Sequence, residues 1–169
     1  AILFAQAGLK RDDEDFYPAY VMNYILGGGG FTSRLYNEVR EKRGLAYSVY
    51  TTLSPMQSSA ILQGGAGTAN ARVAETLSVV RAEWRRLATD GVEKAELDDT
   101  KTYLTGSFPL RFSSSGRIAA ILVAIQLDNL GIDFLERRNG YVEAVTLDAV
   151  NRVARRLLDA KGLTTVVVG

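Results

Sequence analysis

Apolar and polar positions change period several times along this chain, and each change marks an element. Residues 1–8, an apolar run closed by Gly8, carry the pattern of a strand buried on both faces. Beyond a charged turn at Lys10 to Glu14, Tyr17, Tyr20, Val21, Tyr24 and Ile25 recur at helical spacing until four glycines, residues 27–30, interrupt them. Pro18 fits only in the first turn of that helix. A second helix is expected after Thr32 or Ser33 as N-cap, with Leu35 and Val39 on one face, Glu38 and Lys42 as an i,i+4 pair, and Gly44 as its stop.

From Leu45 to Leu53 the period becomes two, placing Leu45, Tyr47, Val49, Thr51 and Leu53 on one side of a strand. Pro55 turns the chain, and residues 58–66 return as its antiparallel partner. Val73, Leu77, Val80, Trp84 and Leu87 then form the strongest helical stripe, which makes Trp84 a core residue, and Asp90-Gly91 ends it. A helix from about Lys94 turns Leu97, Thr100 and Leu104 inward before Phe108-Pro109-Leu110 breaks it. Residues 118–127 are apolar on nearly every face, which predicts the most enclosed helix of the fold. A membrane span needs roughly twenty such residues, and this run is half that. Helices over 134–145 and 147–158, the second capped by Thr146, lead to a last strand over 163–168.

With no repeat or linker, the hairpin and helical stripes predict a single α+β domain over residues 1–169, a two-layer sandwich of mostly antiparallel sheet with helices on one face. The chain starts at Ala1 without a methionine, as expected of a portion of a longer protein, so its compartment cannot be read from a leader.

Composition narrows the chemistry. Twenty basic and nineteen acidic side chains are scattered to a net charge of +1, leaving no single-sign field for nucleic acid or an anionic membrane. Cysteine is absent, which removes disulfides and thiolate chemistry. Histidine is absent too, and with it Ser-His-Asp triads, Cys-His pairs and the histidine-containing zinc sites of metallohydrolases. The pairs Asp12-Asp13 and Asp98-Asp99 lack the spaced oxygens of a calcium loop and read as solvated surface. No metal is expected in this chain.

The informative segment runs from Gly27 to Tyr47. Its glycines could cradle a phosphate at a helix end, but Phe31-Thr32-Ser33 lacks the lysine of a phosphate loop. Gly28, Gly29 and Gly30 are better read as backbone that turns sharply or approaches another chain closely, and are the candidate binding residues. Leu26-Gly27-Gly28-Gly29, Ser33-Arg34-Leu35 and Arg40-Glu41-Lys42-Arg43-Gly44-Leu45-Ala46-Tyr47 together resemble the C-terminal, non-catalytic domain of M16 metallopeptidases, the insulinase-like and mitochondrial processing peptidase-like family. Thr146 to Val150, Ala154-Arg155-Arg156 and the closing Thr164 to Gly169 extend the resemblance over nearly the whole chain.

That resemblance implies a fold of the LuxS/mitochondrial processing peptidase type. It also implies roles for Arg40 and Tyr47, which match an arginine and tyrosine that reach from the non-catalytic domain into the active site of a zinc-bearing one. The zinc and its His-x-x-Glu-His motif would come from a partner domain or subunit, with an extended peptide as substrate, and this chain alone would be inactive. Guanidinium and phenol groups are suited to stabilise a developing oxyanion. A periplasmic address follows from resemblance alone. Arg34 is expected to be a structural tie to the glycine loop or a neighbouring strand, and Phe31, Tyr36 and Tyr50 packing residues.

Two other readings are open. The same fold serves as scaffold or assembly subunits without peptidase activity, although the presence of both Arg40 and Tyr47 favours the enzyme component. An autonomous hydrolase built on Ser113, Ser114 or Ser115 with Lys101 has no supporting spacing, and the serines read as a loop and cap.

Overall fold

A computed structural model describes residues 1–169. Strands β1 (Ile2–Ala7), β2 (Ala46–Pro55), β3 (Ala60–Thr68) and β4 (Thr164–Val167) form one sheet in the order β2-β3-β1-β4, with every neighbouring pair antiparallel. The principal helices are α1 (Phe16–Asn23), α2 (Val73–Asp90), α3 (Lys94–Gly106), α4 (Ser115–Leu127), α5 (Phe134–Glu143) and α6 (Leu147–Leu157). The α+β sandwich expected from the hairpin and the helical stripes is the fold observed.

Alternation sorts the sheet into two faces. Ile2, Phe4, Val49, Leu62 and Ala66 enter the core with Val21 and Met22 of α1, Val80, Trp84 and Leu87 of α2, and Val150, Val153 and Ala154 of α6. Leu3, Tyr50 and Gln63 stand on the uncovered face. β1 is therefore buried on one face only, because no layer of helices covers the other side of the sheet. Trp84 stands edge-on to Phe4 at 5.8 Å and donates its indole N–H to Gln6 Oε1 at 2.8 Å, which satisfies the polar end of a buried ring. Asp15, buried at the foot of α1, accepts from Arg152 and Arg156 of α6 and ties the first and last helices together.

The first helix ends within the glycine run, as expected, but not as a regular α-helix. It closes as a wider π-type turn over Tyr24–Gly28, with Gly29 N–H bonded back to Tyr24 O at 2.8 Å. A Cβ on Gly27 would lie 2.6 Å from Thr51 Oγ1, so glycine here lets the helix press against β2.

The largest departure from expectation is α4. Its sequence is the most apolar of the helices, yet Ile125 is its only buried residue, and Leu122, Val123 and Leu127 are exposed. Apolarity on all faces predicts burial only if other elements surround the helix, and here α4 lies outside the layer formed by α1, α2 and α6. No single helix is long and apolar enough to cross a membrane.

Candidate functional site

The motif folds into a π-type helical segment, Tyr36–Glu41, a tight turn, and the start of β2. Ser33 begins it as expected, its hydroxyl accepting from Tyr36 N–H at 3.4 Å. Leu35 and Val39 are buried beneath it. Gly44 ends it at φ +57°, a conformation that favours glycine, with its N–H on Arg40 O and the next N–H on Val39 O, both at 2.9 Å. Two side chains then fix the turn from below. Arg72 donates to Gly44 O at 3.0 Å, and Thr68 to Leu45 O at 2.6 Å.

The charges of this segment are unequally occupied. Glu38, buried, accepts from Lys42 at 2.6 Å and from Arg43 at 2.5 Å, and those hydrogen bonds hold its carboxyl below the ordinary range. Arg40 enters no ion pair. Its guanidinium lies 4.9 Å from the ring centroid of Tyr36 and 5.1 Å from that of Tyr47, within cation–π range of both. Lys42 and Arg43 thus share one carboxylate as ion-pair partner, while Arg40 lies between two rings with no acid paired to it.

Tyr47 is 82% exposed. Strict alternation would turn it inward with Val49 and Thr51, but the pairing of β2 with β3 shifts register between Ala46 and Ser48. This irregularity reverses the facing of Tyr47 relative to the rest of the strand. β2 is also a sheet edge, paired on one side only.

Phe31 is not a packing residue. It is 77% exposed on the short turn Gly30–Thr32 and meets Tyr36 edge-on at 4.9 Å, so Phe31, Tyr36, Arg40 and Tyr47 form a continuous row. An aromatic directly after a glycine run, flanked by polar residues and outside any apolar period, was the available signal. Tyr36 is buried as expected, whereas Tyr50 is half exposed on the open face of the sheet. Gly28 and Gly30 are exposed, and Gly30, at φ +56°, has open space where a Cβ would project. Gly29 is more confined, because a Cβ there would meet the Tyr24 ring at 2.8 Å. Arg34 is a structural tie, but to α3: it grips Glu96 through Nε at 2.8 Å and Nη2 at 2.6 Å, and reaches Gly91 O. Lys101 donates to Val145 O, and Ser114 caps α4 by accepting from Arg117 N–H, so these groups are occupied structurally.

No three His, Cys, Asp or Glu side chains converge closely enough to hold a metal ion. The donor set of this chain does not fit zinc.

Residues 1–104 match the family model described as the peptidase M16 inactive domain. Over 169 residues the chain is 32% identical to an uncharacterized zinc protease, SCO5738, of Streptomyces coelicolor, an alignment covering 98% of this chain and 36% of that protein. It is 28% identical to the non-peptidase homolog YmxG of Helicobacter pylori, covering 99% of this chain and 39% of that one. Among solved structures, the peptidase M16 inactive domain from Pseudomonas fluorescens superposes with a TM-score of 0.86 at 34% identity, over 97% of this chain and 39% of that one. The chain thus spans under half the length of these relatives. The family model and these likenesses agree with the motif around Arg40 and Tyr47: the chain belongs to the peptidase M16 family and corresponds to its inactive domain.

Proposed function

We propose that this domain supplies Arg40 and Tyr47 to the active site of a zinc-bearing partner, in the same chain or a separate subunit, where they hold a peptide and stabilise the oxyanion of its hydrolysis. The observation that carries this reading is the guanidinium of Arg40, in no ion pair, beside an exposed phenol, in a segment whose other two cations are both ion-paired to Glu38. Zinc, held by the partner's His-x-x-Glu-His motif, would supply Lewis acidity and the activated water. This chain's residues bind and orient: the Tyr47 O–H and Arg40 N–H groups donate to the carbonyl oxygen as it gains charge, where water is excluded. The free edge of β2 can pair with an extended peptide, and the exposed backbone around Gly28 to Gly30 offers further main-chain contact.

The test is reconstitution with the zinc-bearing partner. Tyr47→Phe is expected to lower turnover by about a hundredfold, the scale for losing one oxyanion donor. Arg40→Met is expected to lower turnover and raise KM, since a guanidinium can hold a carbonyl in ground and transition states alike. Tm should hold in Tyr47→Phe, because the lost hydroxyl is in solvent. Wild-type turnover in both variants would refute the role.

The name of the Helicobacter pylori relative favours a second reading, a subunit without peptidase activity. A reconstituted pair that binds peptide but leaves it intact would support it.

A further inference from the structure

At the opposite end of β2 from Tyr47, about 26 Å along the strand at 3.3 Å per residue, the helices leave a cavity of about 270 Å³. Phe16, Tyr17, Tyr20, Phe108 and Phe134 line it, and Ile121 and Ile125 of α4 form its outer wall. α4 stands over this space and does not fill it.

Three guanidiniums, those of Arg11, Arg111 and Arg138, also line the cavity, against the single carboxylate of Asp128. None of the three arginines is in an ion pair, with Asp128 or any other acid. Arg138 is the decisive one. It is 5% exposed, and its hydrogen bonds go only to neutral acceptors: Leu104 O at 2.6 Å, Asn139 Oδ1 at 2.9 Å and the Tyr20 hydroxyl at 3.2 Å. Arg11 donates only to the Tyr17 hydroxyl at 3.1 Å, and its guanidinium lies 4.1 Å from the Phe16 ring centroid and 5.5 Å from that of Phe134. A buried cation is ordinarily matched by an acid, because leaving it unmatched in apolar surroundings is costly. Elsewhere this chain obeys the rule, as the largely buried Arg34 with Glu96 demonstrates.

We infer that this cavity binds an apolar carboxylate, a carboxyl group joined to an aromatic or aliphatic chain. The rings and α4 would take the apolar portion, and Arg11 and Arg138 would take the anion. A carboxylate suits the site better than a phosphate, because a single charge loses less hydration on entering an apolar lining. A fatty acid and the free C-terminus of a peptide ending in an apolar residue share this chemistry. The inference does not depend on the role of Arg40 and Tyr47.

The test uses the 169-residue chain and calorimetric titration with decanoate, decanol, and a short peptide ending in phenylalanine as free acid and as amide. Decanoate should bind saturably and about tenfold more tightly than decanol, a difference of about 1.4 kcal/mol. Preference for the peptide acid over its amide would identify peptide termini as ligands, and decanoate binding alone would identify fatty acids. Arg11→Gln, at a partly exposed position that should fold normally, is expected to remove the preference for decanoate while leaving decanol binding unchanged. Arg138→Lys, which keeps the charge but loses the planar fork, should weaken decanoate binding severalfold. Equal binding of decanoate and decanol, selectivity that survives Arg11→Gln, or no saturable binding by any of the four compounds up to about 1 mM, a ceiling near 4 kcal/mol of binding, would overturn the inference.

Discussion

Glu38→Gln tests whether charge pairing holds the segment that presents Arg40. The Glu38 side chain is 9% exposed, while those of its partners Lys42 and Arg43 are 57% and 42% exposed. With one side of each pair in water, screening limits each to about 0.5–1 kcal/mol, and the two together to about 1–2 kcal/mol. At about 2–4 °C per kcal/mol for a chain of this size, the variant should melt about 2–8 °C below wild type at pH 7. The gap should depend on pH in one direction. Lys42 and Arg43 lower the folded pKa of Glu38 from its ordinary 4.5, so its stabilisation is complete above that value and is lost as pH falls through the lowered one. Calorimetric melting across this range, repeated at about 1 M salt to screen the exposed partners, provides the assay. A gap that persists unchanged in strong acid would show that the loss is one of packing or geometry. The absence of a gap at pH 7 would show that the Arg43 bond to Glu38 O and the backbone bonds around Gly44 suffice without the charge.

Glu83 has the opposite sign. Burial raises its pKa despite Arg86 at 3.3 Å, and its Oε2 has no hydrogen-bond partner, so any stability tied to its protonation is present below about 4.5 and lost as pH rises through the raised value. Glu83→Gln should therefore raise Tm at pH 7 by a few degrees, corresponding to about 1 kcal/mol, and a lower Tm at that pH would contradict this. On α4, Val123→Lys should change stability by less than about 0.5 kcal/mol, whereas Val153→Ala, at a fully buried position of α6, should cost about 1–3 kcal/mol. Denaturant titration of both decides the matter, and a large loss from Val123→Lys would mean that α4 is packed after all.

Much of this molecule was determined by local sequence. The period-two run after Leu45, the stripe from Val73 to Leu87, the Thr146 cap and the glycine stop at Gly44 act through backbone sterics and one-sided burial, which sequence spacing encodes directly. Arg40 and Tyr47 were legible as candidates because their motif lies in one contiguous segment.

Tertiary structure decided what depends on neighbours. The shift between Ala46 and Ser48 turned Tyr47 outward, and that shift is set by pairing with the far end of β3, where Thr68 lies opposite Ala46. The choice of Glu38 as partner for Lys42 and Arg43, which leaves Arg40 free, follows from side-chain geometry across one turn and the next. α4 is the clearest case. Its composition records how much apolar surface it has, but burial depends on what surrounds it, and that is settled by where the rest of the chain packs. The unmatched Arg138 was equally hidden, because its charge becomes a constraint only once Leu104, Phe108 and Tyr20 close around it.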